Sequence, residues 1–357
     1  MKTANGFFGA LVVFLIFGSA SPAASSSEPP GVTQVTAKNF TRSMSDIYFT
    51  KVTDAVGTNV VLHTRETKNV ENQNIIRENR DTLYSNLVID ARNGFNLSLP
   101  ATNGVFMTAM IIDQETHLLT DGSSDIGTFQ AYADKERVIK IDANDIPTDY
   151  AYVLFRTYSD GSTDSETLAN KLQDGIKLEA KSNIPFKAQK WDDEAVETMR
   201  QAYASRIFET AAKGTWQGYN TAENTVEDIR NVYASCCWGG QLEKYATYGT
   251  TDTLNIPVDQ CAVTSIEPPK VDFDRGGFWS YQVYNAEGWI SSNSSTLQNA
   301  NTVLNKDGTV TLRFGTKEAC GTDENRADRE QQFNITTRIY NPSEEIPFAS
   351  RALKFEK

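Results

Sequence analysis

Histidine, cysteine and positive charge are all scarce in this sequence of 357 residues. There are two histidines, four cysteines, and 34 Lys and Arg against 46 Asp and Glu, which gives a formal net charge of −12. Such a chain is poorly suited to binding nucleic acid or an anionic membrane, since both recruit cationic side chains. Two histidines leave no basis for a His-rich metal site. The apolar fraction of 39% is that of a folded protein.

The amino terminus has the features of a secretory signal peptide. Lys2 precedes an uninterrupted apolar run from Phe7 to Phe17, and small residues that suit signal peptidase follow. As a helix this run would span about 16 Å, half of a bilayer core, so cleavage is favoured over an uncleaved anchor. We expect a signal peptide over residues 1–23, a flexible spacer over residues 24–35, and a secreted protein, extracellular or, in a bacterium, periplasmic. No later segment reaches 18 apolar residues, so no membrane span is expected in the mature chain.

Four N-x-Ser/Thr sequons agree with secretion and predict N-linked glycans. Asn96 and Asn334 lie where apolar and polar residues alternate, a pattern that places both side chains on the solvent face of a strand. The alternative is that sequons occur by chance, as they do in an ordinary bacterium. The predicted acceptors are Asn39, Asn96, Asn293 and Asn334.

Four cysteines in a secreted chain predict disulfides. The neighbours Cys236 and Cys237 can bond to each other only with strain. We therefore expect them to bond separately to Cys261 and Cys320, in either of two connectivities. A zinc site is the less favoured alternative, because the chain has no C-x-x-C pair.

Hydrophobic periodicity divides the chain into helical and β-rich regions. Helical patterns occupy residues 36–55 and, after a capping box at Thr163–Glu166, most of residues 163–234. Short β-branched or aromatic runs occupy residues 80–158 and 278–340. Frequent Asn-Gly and Asp-Gly turns favour an antiparallel sandwich over βαβ units. The sequence therefore predicts a mainly β fold with a helical insert.

Several segments together resemble a known family. They are NRDTLYS at residues 79–85, WGG at 238–240, GFWS at 277–280 with YNAEG at 284–288, and RIYNP at 338–342. In this order they resemble a widespread family of secreted bacterial proteins that pairs domain of unknown function 1254 with domain of unknown function 1214. The resemblance implies an N-terminal immunoglobulin-like β-sandwich over residues 36–162, a small α-helical domain over 163–250 and a C-terminal jelly-roll-like β-sandwich over 251–357. It implies no established activity.

The NRDTLYS heptad supplies the first candidate site residues. Arg80 offers a planar fork for a carboxylate or phosphate, and Asp81 can act as a base or a ligand, with Tyr84 three residues further along. The alternative is architectural, with a turn cap, a buried ion pair and a core aromatic side chain.

His117 is the one credible catalytic histidine, because it follows a predicted buried strand and lies close to Asp113. His63, in a polar stretch, is expected to be structural. The chain has no G-x-S-x-G elbow, P-loop, dinucleotide-binding motif or H-E-x-x-H, so no cofactor is expected.

Two functions remain open from the sequence. The leading hypothesis is a secreted glycoprotein with a binding or structural role, whose ligand would be a small molecule or a carbohydrate. Trp279, Tyr281 and Trp289 could stack on sugars, although a sandwich core is the commoner place for such rings. The alternative is a secreted hydrolase with an inter-domain site. Its residues would be Arg80, Asp81, Tyr84, Asp113 and His117.

Overall fold

Two sets of stacked β-sheets and a group of helices make up the structure, a computed structural model that describes residues 31–212 and 219–355. The predicted mainly β fold with a helical insert is confirmed. The expected signal peptide, and the expected spacer up to residue 30, lie outside the described residues. Within the two described ranges, no helix is both long and apolar enough to cross a membrane.

The first sandwich is built from eight short strands that are rich in apolar residues. They are β1 (Leu62–His63), β2 (Thr82–Asp90), β3 (Phe95–Leu99), β4 (Met107–Asp113), β5 (Thr128–Gln130), β6 (Arg137–Ile141), β7 (Tyr150–Tyr158) and β8 (Lys177–Ala180). An antiparallel sheet in the order β1-β2-β7-β4-β5 packs against a second in the order β6-β3-β8. Because side chains alternate along a strand, Leu87, Phe95 and Phe155 all point into the shared core.

Five of the described helices precede the second sandwich. They are α1 (Phe40–Val56), α2 (Thr163–Asp174), α3 (Asp193–Ala204), α4 (Ile207–Ala212) and α5 (Glu227–Cys236). The predicted helix is present, but the capping box expected at Thr163–Glu166 is not. Ser162 caps α2 by accepting a hydrogen bond from the Ser165 N–H, and Glu166 accepts one from the Thr67 N–H instead. One face of α1 packs on α3 and α5, and the other covers the outer face of the five-stranded sheet. By contrast, α2 packs on β2 and β7, and β8 adds an edge strand to β3, so residues 163–180 pack with the first sandwich.

The second sandwich has the same five-plus-three arrangement. Its elements are β9 (Ala246–Thr250), β10 (Leu254–Asn255), β11 (Ala262–Ile266), β12 (Phe278–Asn285), β13 (Thr296–Gln298), β14 (Val310–Phe314), α6 (Lys317–Cys320), β15 (Arg326–Ala327) and β16 (Gln332–Tyr340). One sheet has the order β10-β16-β12-β13, with β9 also paired to β16, and the other has the order β11-β14-β15. Tyr281, Leu312 and Phe333 lie in the core between them. The opposite face of β12 and β16 meets the first sandwich, where Phe106 packs on Phe278 and Tyr340.

The disulfide lies within the second sandwich, so the expected bonds from Cys236 and Cys237 to Cys261 and Cys320 are wrong. Cys261 precedes β11, and Cys320 ends the short helix after β14, the strand that pairs with β11. This pairing brings the two Cα atoms to 4.8 Å and the cysteines bond to each other. Cys236 and Cys237 end α5 in the helical group and carry free thiols.

Of the four predicted glycan acceptors, Asn334 is buried. Its side chain is 1% exposed and donates a hydrogen bond of 2.8 Å to the carbonyl oxygen of Asn285. The expectation that Asn334 faces solvent is wrong, because β16 is a central strand that is covered on both faces. Asn39, Asn96 and Asn293 are each at least partly exposed.

Candidate functional site

The heptad at residues 79–85 joins the two sandwiches. It runs from a turn into β2, whose first residues pair with the end of β7. Asn79 Nδ2 donates a hydrogen bond of 2.8 Å to the hydroxyl of Tyr340 in the second sandwich. The hydroxyl of Ser280, also in the second sandwich, donates to Asp81. The predicted site residue Asp81 and its heptad neighbour Asn79 therefore lie at the contact between the sandwiches.

Asp81 is fully buried at this contact and its carboxylate is occupied. Oδ2 accepts a hydrogen bond from the Ser280 hydroxyl, and Oδ1 accepts one of 3.1 Å from Gln298 Nε2. Burial raises the pKa of the Asp81 carboxyl, although Arg338 and these hydrogen bonds favour the ionised form. The carboxylate has no contact with solvent, so its geometry suits a structural junction.

Tyr84 packs beneath the buried guanidinium of Arg156. The guanidinium carbon lies 5.5 Å from the centroid of the ring, and Arg156 Nη2 donates a hydrogen bond of 2.6 Å to the carbonyl of Gly239. Asn79 Nδ2 donates to the Tyr84 hydroxyl at 3.0 Å. Burial disfavours the phenolate, but the charge of Arg156 and the hydrogen bonds of Asn79 and Thr82 outweigh it, so the pKa of Tyr84 lies below its usual value.

Arg80 forms hydrogen bonds to loops of both sandwiches. Its Nε donates to the carbonyl of Lys68 at 2.8 Å in the first sandwich. Its Nη1 donates to the carbonyl of Asn293 at 3.0 Å and to the hydroxyl of Ser295 at 3.1 Å in the second. Among the described residues, no group accepts a hydrogen bond from Nη2. Burial lowers the pKa of the guanidinium, and the ordinary value is high enough that the charge is retained.

A polar cleft of about 310 Å³ opens beside Arg80, between the two sandwiches. Its walls carry guanidinium, amide, hydroxyl and carboxylate groups and no aromatic ring. Ser294, Asn301 and Asp160 are exposed there. The lining residues are Thr67, Arg80, Asp160, Asn293, Ser294, Thr296, Gln298, Asn301 and Arg326.

His117 and Asp113 form a second polar cluster, which lies against the helices. His117 Nδ1 is 3.0 Å from Asp113 Oδ2, and His117 Nε2 is 3.0 Å from Arg230 Nη1 in α5. Because a guanidinium only donates hydrogen bonds, Nε2 must accept and Nδ1 must carry the proton. Asp113 Oδ1 also accepts from the backbone N–H groups of Glu115 and His117. Both ring nitrogens are therefore engaged in holding the strand end to the helix.

The five residues of the expected inter-domain site do not share one pocket. Tyr84 is opposite Arg156, which is opposite Thr108 on β4, and Asp113 lies five residues further along that strand. At about 3.3 Å per residue, Tyr84 and Asp113 are therefore offset by about 17 Å along the strand direction alone. The structure brings Arg80, Asp81 and Tyr84 together and places Asp113 with His117 elsewhere.

Three buried arginines hold these clusters, although the sequence reasoning did not single them out. Arg156 and Arg338 each interrupt a strand that is otherwise apolar, aromatic or Thr-rich, in YVLFRTY at residues 152–158 and ITTRIY at 335–340. Arg338 donates to Gln282 and Tyr284 at 2.8 Å each. A lone charge within such a strand must find buried partners, and this is the signal that could have located the junction. Arg230 on α5 shows no comparable signal.

Two of the three aromatic side chains considered for sugar stacking are not available. Trp279 and Tyr281 are 2% and 4% exposed and belong to the core of the second sandwich. The sandwich core, the commoner place for such rings, is where both lie, because this face of β12 is covered by the three-stranded sheet. Trp289 is 38% exposed, outside the cleft at Arg80.

Comparison with known proteins supports the fold and assigns no activity. Residues 58–180 match the family model described as "Protein of unknown function (DUF1254)". The fold is similar to that of the VPA0106 protein from Vibrio parahaemolyticus, with a TM-score of 0.59 at 14% identity over 90% of this chain and 97% of that one. An uncharacterised protein from Burkholderia cenocepacia gives a TM-score of 0.47 at 14% identity, over 87% of this chain and 86% of that one. Among curated proteins, nothing matches this sequence.

The family match begins just before β1 and ends at β8, and so covers the first sandwich together with α2. It includes the heptad, Arg156 and the Asp113–His117 pair. The expected second domain of the pair, over the C-terminal sandwich, stays a prediction.

Proposed function

We propose that this protein is a secreted glycoprotein that binds a small hydroxylated molecule, with carbohydrate as the leading class, in the cleft at Arg80. The observation that carries the proposal is the cleft itself, because it is polar and both sandwiches contribute to its walls. Sites between domains commonly bind small ligands. The C-terminal sandwich would be the 1214-like partner of the 1254-like first domain.

The chemistry of the cleft suits hydroxyl groups. Amides and hydroxyls both donate and accept hydrogen bonds, as the hydroxyls of a sugar require. Arg80 Nη2 adds a charged donor, which would also favour an acidic group on the ligand. Since no ring lines the cleft, binding would rest on hydrogen bonds rather than on stacking.

Secretion and glycosylation are parts of the same proposal. The leader at residues 1–23 and the oxidised Cys261–Cys320 pair are typical of proteins that enter an oxidising compartment. The glycan acceptors proposed are Asn39, Asn96 and Asn293, with Asn334 excluded by its burial. Asn293 lines the cleft, so a glycan there would stand at its rim.

The hydrolase alternative has no geometric support. Asp81 is shielded from solvent and hydrogen-bonded, and both ring nitrogens of His117 are engaged in a separate cluster at the end of β4. General acid–base catalysis needs a group that reaches the substrate. We therefore retain binding as the function that the site supports best.

A ligand screen with two variants of one residue tests the proposal. The purified protein is heated with neutral monosaccharides, uronic acids and small hydroxy acids, and its melting temperature is compared with that of the protein alone. We expect at least one hydroxylated compound to raise the melting temperature, since a ligand that binds only the folded state stabilises it. Ser294→Trp should fill the cleft and abolish the shift, whereas Ser294→Ala should largely retain it. The proposal fails if no compound stabilises the protein, or if Ser294→Trp leaves the shift unchanged.

A further inference from the structure

Two neighbouring thiols stand at the C-terminal end of α5. Cys236 is exposed and Cys237 is half-buried. Their sulfur atoms are in contact at 2.7 Å, beyond the covalent S–S distance of about 2.05 Å. The other two cysteines are bonded to each other, so within the chain no third thiol competes for either sulfur.

We propose that Cys236 and Cys237 are a site of reversible oxidation, at which the two thiols close into a disulfide by exchange with a small-molecule disulfide such as oxidised glutathione. The exposure of Cys236 lets a small disulfide approach, and the adjacency of Cys237 places the second thiol within reach. The same compartment that would keep Cys261 and Cys320 oxidised would supply such an oxidant.

The exchange balances in two steps. The Cys236 thiolate attacks one sulfur of glutathione disulfide, which breaks that S–S bond and releases one glutathione, and this glutathione takes up the proton that Cys236 lost. Cys237 then loses its proton and attacks the Cys236 sulfur of the mixed disulfide, which releases the second glutathione. Two electrons pass from the two protein thiols to the glutathione disulfide. The contact between the thiols lowers the pKa of Cys236 and raises that of Cys237, in keeping with this order of attack.

The bond should be easier to reduce than Cys261–Cys320. Adjacent Cα atoms are fixed at about 3.8 Å by a trans peptide, below the usual range of about 4.4–6.8 Å for disulfides. Strain of this kind makes a disulfide more oxidising and labile. The Cα atoms of Cys261 and Cys320 are 4.8 Å apart, within the usual range.

Closing the bond would act on the contact between the sandwiches. The Cys237 carbonyl accepts hydrogen bonds from the Tyr219 hydroxyl at 2.9 Å and from the Gly240 N–H at 3.0 Å. The same turn presents the Gly239 carbonyl to Arg156. A change in the backbone at Cys237 would therefore reach the guanidinium that packs on Tyr84.

Peptide mapping of the full-length protein across a series of glutathione redox buffers tests the proposal. After alkylation of free thiols, trypsin releases both cysteines in one peptide, residues 231–244, whereas Cys261 and Cys320 fall in residues 245–270 and 318–326. In oxidising buffer we expect peptide 231–244 to lack both alkyl groups and to weigh two hydrogen atoms less than its dithiol form. As the buffer becomes more reducing, this peptide should open while the other two remain joined.

Three results would overturn the proposal. They are two alkylated cysteines in peptide 231–244 at every oxidising ratio, a bond from this peptide to either of the other two, and a bond between two copies of it. A second readout is tryptophan fluorescence, because Trp238 follows the pair and stacks on Tyr48 at 4.2 Å. Its intensity should change with the redox buffer in the native protein and stay constant in Cys236→Ser. Cys237→Ser should stop at the mixed disulfide, so peptide 231–244 should carry one glutathione. A change of equal size in Cys236→Ser, or no glutathione on this peptide in Cys237→Ser, would contradict the assignment.

Discussion

Arg156 packs its guanidinium on the ring of Tyr84, 5.5 Å from the ring centroid, where the two sandwiches meet. Arg156 is buried and Tyr84 is half-buried, and the buried carboxylate of Asp81 at this contact bonds instead to Ser280 and Gln298. The positive charge of Arg156 is therefore stabilised by the Gly239 carbonyl and by the tyrosine. A buried cation without a carboxylate partner favours ionisation of a neighbouring phenol.

Tyr84 should be the first phenol to ionise as the pH rises. Among the described tyrosines whose pKa is shifted, Tyr84 alone is shifted downward, and the others are raised by burial. Titration followed by the ultraviolet absorbance of the phenolate should show one early step in the native protein. Tyr84→Phe should remove this step, and Arg156→Met should move it to higher pH.

The two variants control for each other. Tyr84→Phe removes only a hydroxyl, so the fold should survive and the later steps should keep their positions. An early step that persists in Tyr84→Phe would assign the low pKa to another residue and contradict the role given to Arg156.

Ionisation of Asp81 should lower the free energy of unfolding as the pH rises from acidic values. Burial raises the pKa of its carboxyl above the unfolded value of about 4. Between these two pKa values the folded protein binds more protons than the unfolded chain, so the free energy of unfolding falls with increasing pH. The stabilising contribution of Asp81 is thus complete below about pH 4 and is lost as the pH passes through the folded-state pKa.

Denaturant unfolding of Asp81→Asn at a series of pH values measures this contribution. Relative to the variant, the native protein should become less stable as the pH rises from about 4. Asp134→Asn, which changes an exposed carboxyl, serves as the control and should follow the native protein. A constant difference between native protein and Asp81→Asn at all pH values would show that the carboxyl has the same pKa in both states.

The strands and helices were largely predictable because their patterns are local. The alternation in FNLSL and the unbroken apolar run that becomes β4 each reflect burial of one face or of both faces. The start of α2 is likewise decided within one turn of helix, although the capping residue is Ser162 and not Thr163. Heptad side chains contact the second sandwich, a position that fits the architectural alternative as well as a site.

The predictions that are wrong concern contacts between segments that are distant in the sequence. Nothing near Cys261 indicates that β11 pairs with β14 and brings Cys320 to it. Alternation around Asn334 predicted one solvent face, but both faces of β16 are buried in the structure. The separation of Tyr84 from Asp113 depends on strand register, and a register is fixed by the assembled sheet rather than by either strand alone.

His117 should matter for stability. Its ring links Asp113 at a strand end to Arg230 on a helix, and His117→Ala would leave both partners buried without it. We expect a loss of about 1–3 kcal/mol in the free energy of unfolding, measured by guanidinium denaturation. His117→Asn keeps an amide that can donate to Asp113, so the loss of unfolding free energy should be smaller in this variant.

His63→Ala provides a comparison, since the His63 ring makes one hydrogen bond, to Ser85, and is only half-buried. His117→Ala with native stability would contradict the structural role.

Gly276 should be intolerant of any side chain because of the contact between the sandwiches. Its φ is +69°, and a Cβ atom there would lie 2.6 Å from the backbone nitrogen of Phe106 and 2.7 Å from the carbonyl oxygen of Gly104. Gly308 has a similar φ of +85° but has no neighbouring atom within 4 Å of such a Cβ. Gly308→Ala should therefore lower the free energy of unfolding only by the backbone strain, about 1 kcal/mol. Gly276→Ala must also push the two sandwiches apart, and should lower the free energy of unfolding by about 2–4 kcal/mol. Denaturant unfolding of the two variants measures the difference, and equal losses would show that the sandwiches are not in close contact at this turn.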